Sequence, residues 1–512
     1  MDGRAQMTTN DDFWPDVSPD GGLKTRSVRG ASITALVQLP KIVLMLGSQL
    51  VLARLLLPAD FGVVAMVTPV IGFVQVLADL GLTQAVVSRP QLRLSELNGF
   101  FWINLGLSAA LAVLACLSGP LLAWLYGEPR VMAVTIASSA LILLGGLGMV
   151  QAALLNRQMR YGALAIIEVS ALAVSVAAGA AFAWFGWGYW SLVIAQALAT
   201  LTTTSLCWTL SNWRPRAPSV DRGALSLAKF GGNITVSNLA GYLNMTIDNV
   251  MIGAALGSVA LGLYDRAWKL AVQPLSQIQA PFHRVAVPAL SRLVDDADRY
   301  RQAFAQMTQA MLLVVAPAMI FAGLLADPLI AVVLGPRWLP GAPIFAWLCV
   351  GAILTPINSA TFWLLVSQAR AREQMVFGTA AAVINVAAYA SGLPFGIVYV
   401  AAVSALSVWV IQTPMLVWVA ARTGPVDRAM MLRLLLPNVV ASAVTALLLW
   451  RLREAFAING FVSLASCAAA AMACYVAVLA CFPARRTALK GLLLLPRALR
   501  RSGPGAIGQA VG

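Results

Sequence analysis

The chain has 512 residues, 60% of them hydrophobic and 11% charged, and carries a net charge of +15; its mean hydropathy is +0.81. That balance excludes a soluble globular protein, which needs far more polar surface. The positive charge does not point to nucleic acid, because the Lys and Arg residues stand at the ends of apolar stretches rather than in a basic stripe interleaved with aromatics.

Residues 1–29 are polar, with Asp2, Asp11, Asp12, Asp16 and Asp20 among few apolar residues, and carry no signal-peptide pattern; they read as a disordered cytoplasmic tail. Crossing the hydrocarbon core takes about 20 apolar residues. The apolar pattern predicts spans near 31–57, 61–87, 99–126, 131–155, 162–185 and 189–210, then a polar link over 211–229. Further spans follow near 230–256, 261–289, 304–326, 341–366, 374–392, 396–420, 433–451 and 461–482. The expected organisation is thus an all-α membrane protein of about fourteen helices, with an N-lobe at 30–210, a linker at 211–229, a C-lobe at 230–420, an extra helical pair at 433–482 and a basic cytoplasmic tail at 483–512. The short run Leu492–Leu495 in that tail reads as interfacial or disordered, not as a further span.

Charge placement gives an orientation. If the N-terminus is cytoplasmic, 27 of the 35 basic residues fall in cytoplasmic segments, 7 on the other side, and Lys41 inside the first span. Cytoplasmic loops of membrane proteins are enriched in Lys and Arg, so both termini are expected in the cytoplasm. The two halves echo each other at an offset of 200 residues: 56–62 reads LLPADFG and 256–262 reads LGSVALG. Such a repeat predicts two lobes related by a pseudo-twofold axis along the membrane normal, around a central cavity; coincidence in a Leu/Gly/Ala-rich chain is the alternative.

The six cysteines, Cys116, Cys207, Cys349, Cys467, Cys474 and Cys481, lie in or beside apolar spans without a CxxC pair. They read as buried small side chains rather than a disulfide framework or metal site. His283 is the single histidine, so a multi-histidine metal centre is excluded. No Walker A loop occurs, and no cofactor is expected.

The segment Leu52–Val87, LARLLLPADFGVVAMVTPVIGFVQVLADLGLTQAVV, resembles the opening helical hairpin of Wzx-type oligosaccharide flippases, and so does Ile247–Leu263 with the following Tyr264, Asp265, Arg266, Ala267 and Trp268. These flippases are the polysaccharide transporters of the multidrug/oligosaccharidyl-lipid/polysaccharide exporter superfamily. The resemblance implies two six-helix lobes plus a helical pair. It implies movement of undecaprenyl-diphosphate-linked oligosaccharide repeat units across the bacterial inner membrane, for exopolysaccharide, capsule or O-antigen (lipopolysaccharide) biosynthesis. It further implies polysaccharide polymerase and co-polymerase partners.

Passing a polar, anionic headgroup across a low-dielectric region needs cationic and hydrogen-bonding side chains that face a wet cavity, so ionisable groups inside spans are the candidates. Span one carries Thr34, Gln38, Lys41 and Ser48 on one face. Lys41 is the leading candidate for a diphosphate or acidic-sugar contact, with snorkelling as the alternative. Span two carries Thr68, Gly72, Gln75 and Asp79, and Asp79 is a candidate partner for Lys41 or a proton acceptor. Ser237, Gly241, Asn244 and Asp248 form a stripe on span seven, and Lys269, Gln273, Gln277 and Arg284 one on span eight, which Pro274 and Pro281 interrupt. Glu168, near the start of span five, reads as interfacial, with a cavity-facing position as the alternative. The cluster of Asp295, Asp296 and Asp298 near Arg292, Arg299 and Arg301 is either solvated or an inward gate. Two other functions stay open: a small-molecule or drug exporter of the same superfamily, and a membrane polysaccharide polymerase. The second is disfavoured because no long loop is present to house catalytic groups. A non-enzymatic transporter is the expectation.

Overall fold

The computed structural model describes residues 40–482 apart from 46, 80–85, 87–92, 219–221, 457 and 459; along 222–240 it describes the backbone and, of the side chains, Leu239. Both tails, Thr34 and Gln38 lie outside the described residues, as does the Ser237 side chain. The architecture is all-α, with no β-strand among the described residues. Among the described residues, twelve helices are long and apolar enough to cross a membrane, which makes this a multi-pass membrane protein. The count differs from fourteen at two places. The first expected span is described only from residue 40, and the 51-residue segment Gly241–Ser291 is a single span by composition although it is over twice the length of one crossing.

The chain divides into two compact units, Met1–Gly262 and Leu263–Gly512. The division falls within a long helix rather than in the polar link.

In the first unit α1 is helical at 40–45 and 47–55, followed by α2 (Pro58–Asp79), α3 (Leu94–Leu117), α4 (Gly119–Tyr126), α5 (Arg130–Arg157), α6 (Tyr161–Trp184), α7 (Tyr189–Leu210) and the start of α8 (Arg222–Ala271). Pro58 opens α2, and Asp60 in its first turn accepts from the Leu57 N–H at 3.0 Å; proline at the first helical position and an early carboxylate are standard start signals. Apolar side chains gain nothing by leaving lipid for a partner helix, so small residues and interhelical hydrogen bonds hold the bundle together. Gly146 of α5 lies against Ser108 of α3, and its carbonyl accepts from Asn104 Nδ2 at 3.2 Å. Gly148 lies against Thr204 of α7, whose hydroxyl donates to the Leu144 carbonyl at 2.9 Å. The link beyond α7 is tied back to α3: Asn98 Nδ2 donates to the Ala217 carbonyl at 2.8 Å, and the Arg216 N–H donates to Asn98 Oδ1 at 2.7 Å.

Helix α8 is broken at Gly257, where φ is 78° and ψ is −177°, a region essentially closed to residues with a Cβ. Just beyond the break α8 meets the start of α2 with no room to spare. A Cβ on Gly62 would run into the Ser258 carbonyl, and one on Gly262 into the Pro58 carbonyl. Pro58 and Ser258, and Gly62 and Gly262, are the positions that match in the 200-residue echo, and the two close contacts are reciprocal: Gly62 meets Ser258 and Gly262 meets Pro58.

The second unit continues with α9 (Gln273–Ser291), α10 (Ala297–Leu324), α11 (Ala326–Val333), α12 (Ala342–Ala352), α13 (Thr355–Ser367), α14 (Ala371–Gly392), α15 (Ile397–Ser407), α16 (Thr413–Ala420), α17 (Arg428–Ala455) and α18 (Phe461–Ala480). The helical ladder is interrupted at Val272, ahead of Pro274, although Val272 keeps α-helical dihedrals (φ −98°, ψ −35°) and its N–H still donates to the Trp268 carbonyl at 2.8 Å, whereas Pro281 and Pro288 stay inside α9. A π-helical turn at Val408–Gln412 joins α15 to α16. Pro414 lacks the N–H that would close the preceding α-turn, which frees the backbone to widen there. The last two helices are fastened to α10 by a buried polar knot. Gln309 and Asn438 exchange amide hydrogen bonds at 3.3 and 3.2 Å, and the Tyr475 hydroxyl donates to Asn438 Oδ1 at 3.0 Å.

Each unit contains the same succession of elements. A long helix is followed by one of eight residues, α4 in the first unit and α11 in the second. A glycine at positive φ comes next, Gly127 or Gly335, and then a proline and an arginine, Pro129–Arg130 or Pro336–Arg337. Later in each unit stands a non-glycine residue at positive φ, Met159 (53°) or Ala369 (57°). The arginine after it caps the end of a later helix: Arg160 donates to the Leu210 carbonyl at 2.8 Å, and Arg370 to the Ala420 carbonyl at 2.8 Å.

Candidate functional site

Lys41 projects from α1 and its Nζ lies 2.7 Å from Glu168 Oε2 on α6. Packing sets this meeting. Leu52 lies against Gly179, at 3.4 Å from where a Cβ would stand, so α1 and α6 run parallel and in step, each contact eleven residues on from the other. The pairing of Lys41 with Asp79 is therefore corrected, and Glu168 is an ion-pair partner rather than a lone interfacial carboxylate. Both side chains keep access to the outside, at 38% and 57% exposure.

The α2 stripe is divided. Tyr242 of α8 covers Gly72, its ring occupying the place of a Gly72 side chain, and its hydroxyl donates to the Thr68 carbonyl at 3.0 Å, while the Thr68 side chain stays exposed and donates to the Val64 carbonyl at 2.9 Å. Gln75 is exposed. Asp79 ends the helix with its Oδ1 buried and without a hydrogen-bond partner among the described residues. On α8, Gly241 and Asn244 are exposed, while Asp248 is buried and accepts from the Asn249 N–H at 2.9 Å.

In the second unit Lys269 does not stand as a lone cation. Asp265, one turn earlier, is buried and takes Lys269 Nζ at 2.8 Å and Arg266 Nη2 at 2.9 Å. One carboxylate serving two cations leaves a net positive charge there, and buried charge is tolerated only when so paired and hydrogen-bonded. Gln273 and Gln277 are half-buried along α9 and Arg284 is exposed. His283, beside it, accepts a hydrogen bond at Nδ1 from the Trp363 indole N–H at 2.7 Å. The acceptor role requires the neutral ring with its proton on Nε2.

Several polar features lie outside the predicted stripes. In the connection between α4 and α5, Glu128 takes two hydrogen bonds from Arg130, at 2.9 and 2.8 Å, and one from the Ser258 hydroxyl at 3.3 Å. The Arg130 guanidinium, through its hydrogen bonds and its charge, holds the Glu128 carboxyl below the usual carboxylate range. Gln412, turned inward by the π-turn, donates to Asn385 at 2.7 Å and to Ser407 at 3.0 Å. The Asp295–Arg301 cluster forms local pairs at the start of α10: Asp296 caps the helix through the Arg299 N–H at 3.1 Å, and Arg301 meets Asp298 at 3.1 Å. No group of three or more His, Cys, Asp or Glu side chains that could hold a metal occurs among the described residues.

Comparison with known proteins places this arrangement. The family described as "Polysaccharide biosynthesis protein" matches residues 51–343. An uncharacterized membrane protein of the cps region of Klebsiella pneumoniae is 25% identical, over 68% of this chain and 72% of its own length. The succinoglycan biosynthesis transport protein ExoT of Rhizobium meliloti is 27% identical over 60% of this chain, a match spanning 63% of its own length and so less than two thirds of it. The lipopolysaccharide biosynthesis protein WzxC of Escherichia coli is 23% identical, over 68% of this chain and 71% of its own length. Among solved structures, the lipid II flippase MurJ in an inward closed conformation aligns with a TM-score of 0.70 at 14% identity, covering 87% of this chain and 99% of that one. An inward-facing multidrug resistance MATE family transporter aligns with a TM-score of 0.56 at 16% identity, over 74% and 94% of the two chains. The likeness in structure is one of fold. With more than half of its length matched, the chain belongs to the polysaccharide biosynthesis protein family, and it has the helical membrane fold found in MurJ and MATE transporters.

Proposed function

We propose that this protein is a flippase that moves undecaprenyl-diphosphate-linked oligosaccharide repeat units across the bacterial inner membrane by alternating access, supplying exopolysaccharide, capsule or O-antigen assembly. What carries the reading is the conjunction, in one chain, of membership in a polysaccharide biosynthesis family and the fold of a lipid flippase. The relatives named as a succinoglycan transport protein and a lipopolysaccharide biosynthesis protein support the cargo class. The cation Lys41, reachable from outside yet set within an apolar span, suits a phosphate-bearing headgroup. The recurring element order supports two lobes, at 30–210 and 230–420, related by a pseudo-twofold axis around a cavity. The candidate cavity residues remain Gln38, Lys41, Gln75, Asp79, Asn244, Asp248, Lys269, Gln273, Gln277 and Arg284. The charge bias supports cytoplasmic termini, and polymerase and co-polymerase proteins are the natural recipients of the product.

The test is deletion of the gene in its native host, with surface polysaccharide and leaflet-resolved repeat units both measured. Loss of polymer with repeat units trapped in the inner leaflet is the expected result. Loss of polymer with repeat units reaching the outer leaflet would point to a polymerase or scaffold. Unchanged polymer, with no second flippase present, would favour the drug-exporter reading, which the likeness to a MATE fold keeps in view.

A further inference from the structure

We infer that Glu168 is a resident counter-ion that holds Lys41 when the transporter is empty and is displaced from it by the anionic phosphates of the cargo. The inference rests on the flippase reading above and adds to it the residue against which cargo competes.

Four observations carry it. The pair is not a local helix contact: its members are 127 positions apart and meet at 2.7 Å because α1 and α6 pack parallel and in register. Glu168 stands seven residues past Tyr161, at the start of α6, about 10 Å along the helix axis. Facing hydrocarbon, a charge at that depth would be costly, so the pair belongs on a face that water and polar cargo reach. Both side chains are substantially exposed, at 38% and 57%. An ion pair so open contributes little to stability, and a phosphate can approach it without dismantling the bundle. Finally, among the described residues of α1, α6 and α7, few other charges stand near the pair. The nearest on α1 is Arg54, thirteen residues on, and α7, the main partner of α6, carries no charged residue.

The contrast within the chain sharpens the assignment. Asp265 also binds a lysine, but it is buried, holds Arg266 as well, and reaches Lys269 within one turn of the same helix. Displacing it would strand two cations. Displacing Glu168 strands none, because the incoming phosphate takes over Lys41 and the freed carboxylate, already more than half exposed, is hydrated. Lys41 is thus neutralised at every stage, and an exchange of partners replaces the cost of holding a bare cation.

The experiment measures binding of undecaprenyl diphosphate, with undecaprenol as the uncharged control, to the purified full-length protein in detergent. Glu168→Gln is expected to bind the diphosphate lipid about tenfold more tightly than the unaltered protein, and Lys41→Ala about tenfold more weakly. In the double variant the gain from Glu168→Gln is expected to vanish, since it acts only through Lys41; undecaprenol binding is expected to be the same throughout. Should Glu168→Gln fail to reach the membrane, Glu168→Asp, whose shorter arm loosens the pair, is expected to tighten binding by about twofold. Unchanged or weaker binding by the Glu168 variants, or a gain that persists without Lys41, overturns the proposal while leaving the flippase reading intact. Failure of the unaltered protein to bind the diphosphate lipid in preference to undecaprenol overturns the cargo reading and this inference together.

Discussion

A charge set within an apolar helix has to be answered close by, and this chain does so in two ways. Lys41 is met from another helix by Glu168, whereas Lys269 and Arg266 are met from within their own turn by Asp265. The two arrangements predict different outcomes. Lys41→Ala is expected to abolish polymer export while leaving the protein at normal levels in the membrane, measured by surface polysaccharide and immunoblot; normal export would remove Lys41 from the mechanism. Asp265→Ala leaves two cations without their carboxylate and is expected to cost about 3–5 kcal/mol, read as a lowered melting temperature in detergent and low membrane abundance. Replacing Lys269 as well should recover part of that loss. At the α4–α5 connection, Glu128 has its folded-state pKa lowered, chiefly by Arg130. A depressed carboxyl contributes stability that is complete above its unfolded pKa, about 4.3, and is lost as pH falls through the folded value. The melting-temperature gap between the unaltered protein and Glu128→Gln is therefore expected to be widest near neutrality and to close in acid; a gap that widens in acid contradicts this. At this scale the sequence was only partly legible. The Asp265–Lys269 pair stands at the helical i,i+4 spacing and was open to reading. Glu168 as the partner of Lys41 was not, because that contact depends on which helices pack together.

At the scale of elements, close approach is set by glycine. Where α2 meets the second half of α8, Gly62 and Gly262 each leave no space for a side chain, and Gly257 turns the chain between them at φ 78°. Gly62→Val is expected to destabilise by at least about 1–3 kcal/mol, since overpacking against backbone has no side chain to move aside. Gly257→Ala adds strain of about 1–3 kcal/mol, and both are read by thermal unfolding in detergent with Gly241→Ala, at an open and exposed position, as the control. Helix existence and approximate ends were legible from apolar length and from signals such as Pro58 and Asp60. Helix interruptions were less so. Pro274 coincides with an interruption of the helical ladder and Pro281 does not, and the π-turn before Thr413 was not foreseen, because proline announces a lost hydrogen bond but not how the backbone will absorb it.

For the whole molecule, the repeated succession of elements, from the eight-residue helices α4 and α11 to the capping arginines Arg160 and Arg370, is the strongest sign that one plan was used twice. The sequence showed only its faintest trace, in LLPADFG and LGSVALG, because lipid-facing positions accept almost any apolar residue and erase identity while the helix lengths persist. The proposed pair of lobes on one plan suits a carrier that opens alternately to the two sides. The most direct test places native lipid-linked repeat units in both leaflets of proteoliposomes and follows their exposure to a membrane-impermeant sugar-oxidising reagent. With the protein present, the inner-leaflet half is expected to become accessible, and with Lys41→Ala to stay protected. Protection of that half in vesicles containing the unaltered, folded protein, under an imposed ion gradient of either sign, would contradict the flippase account.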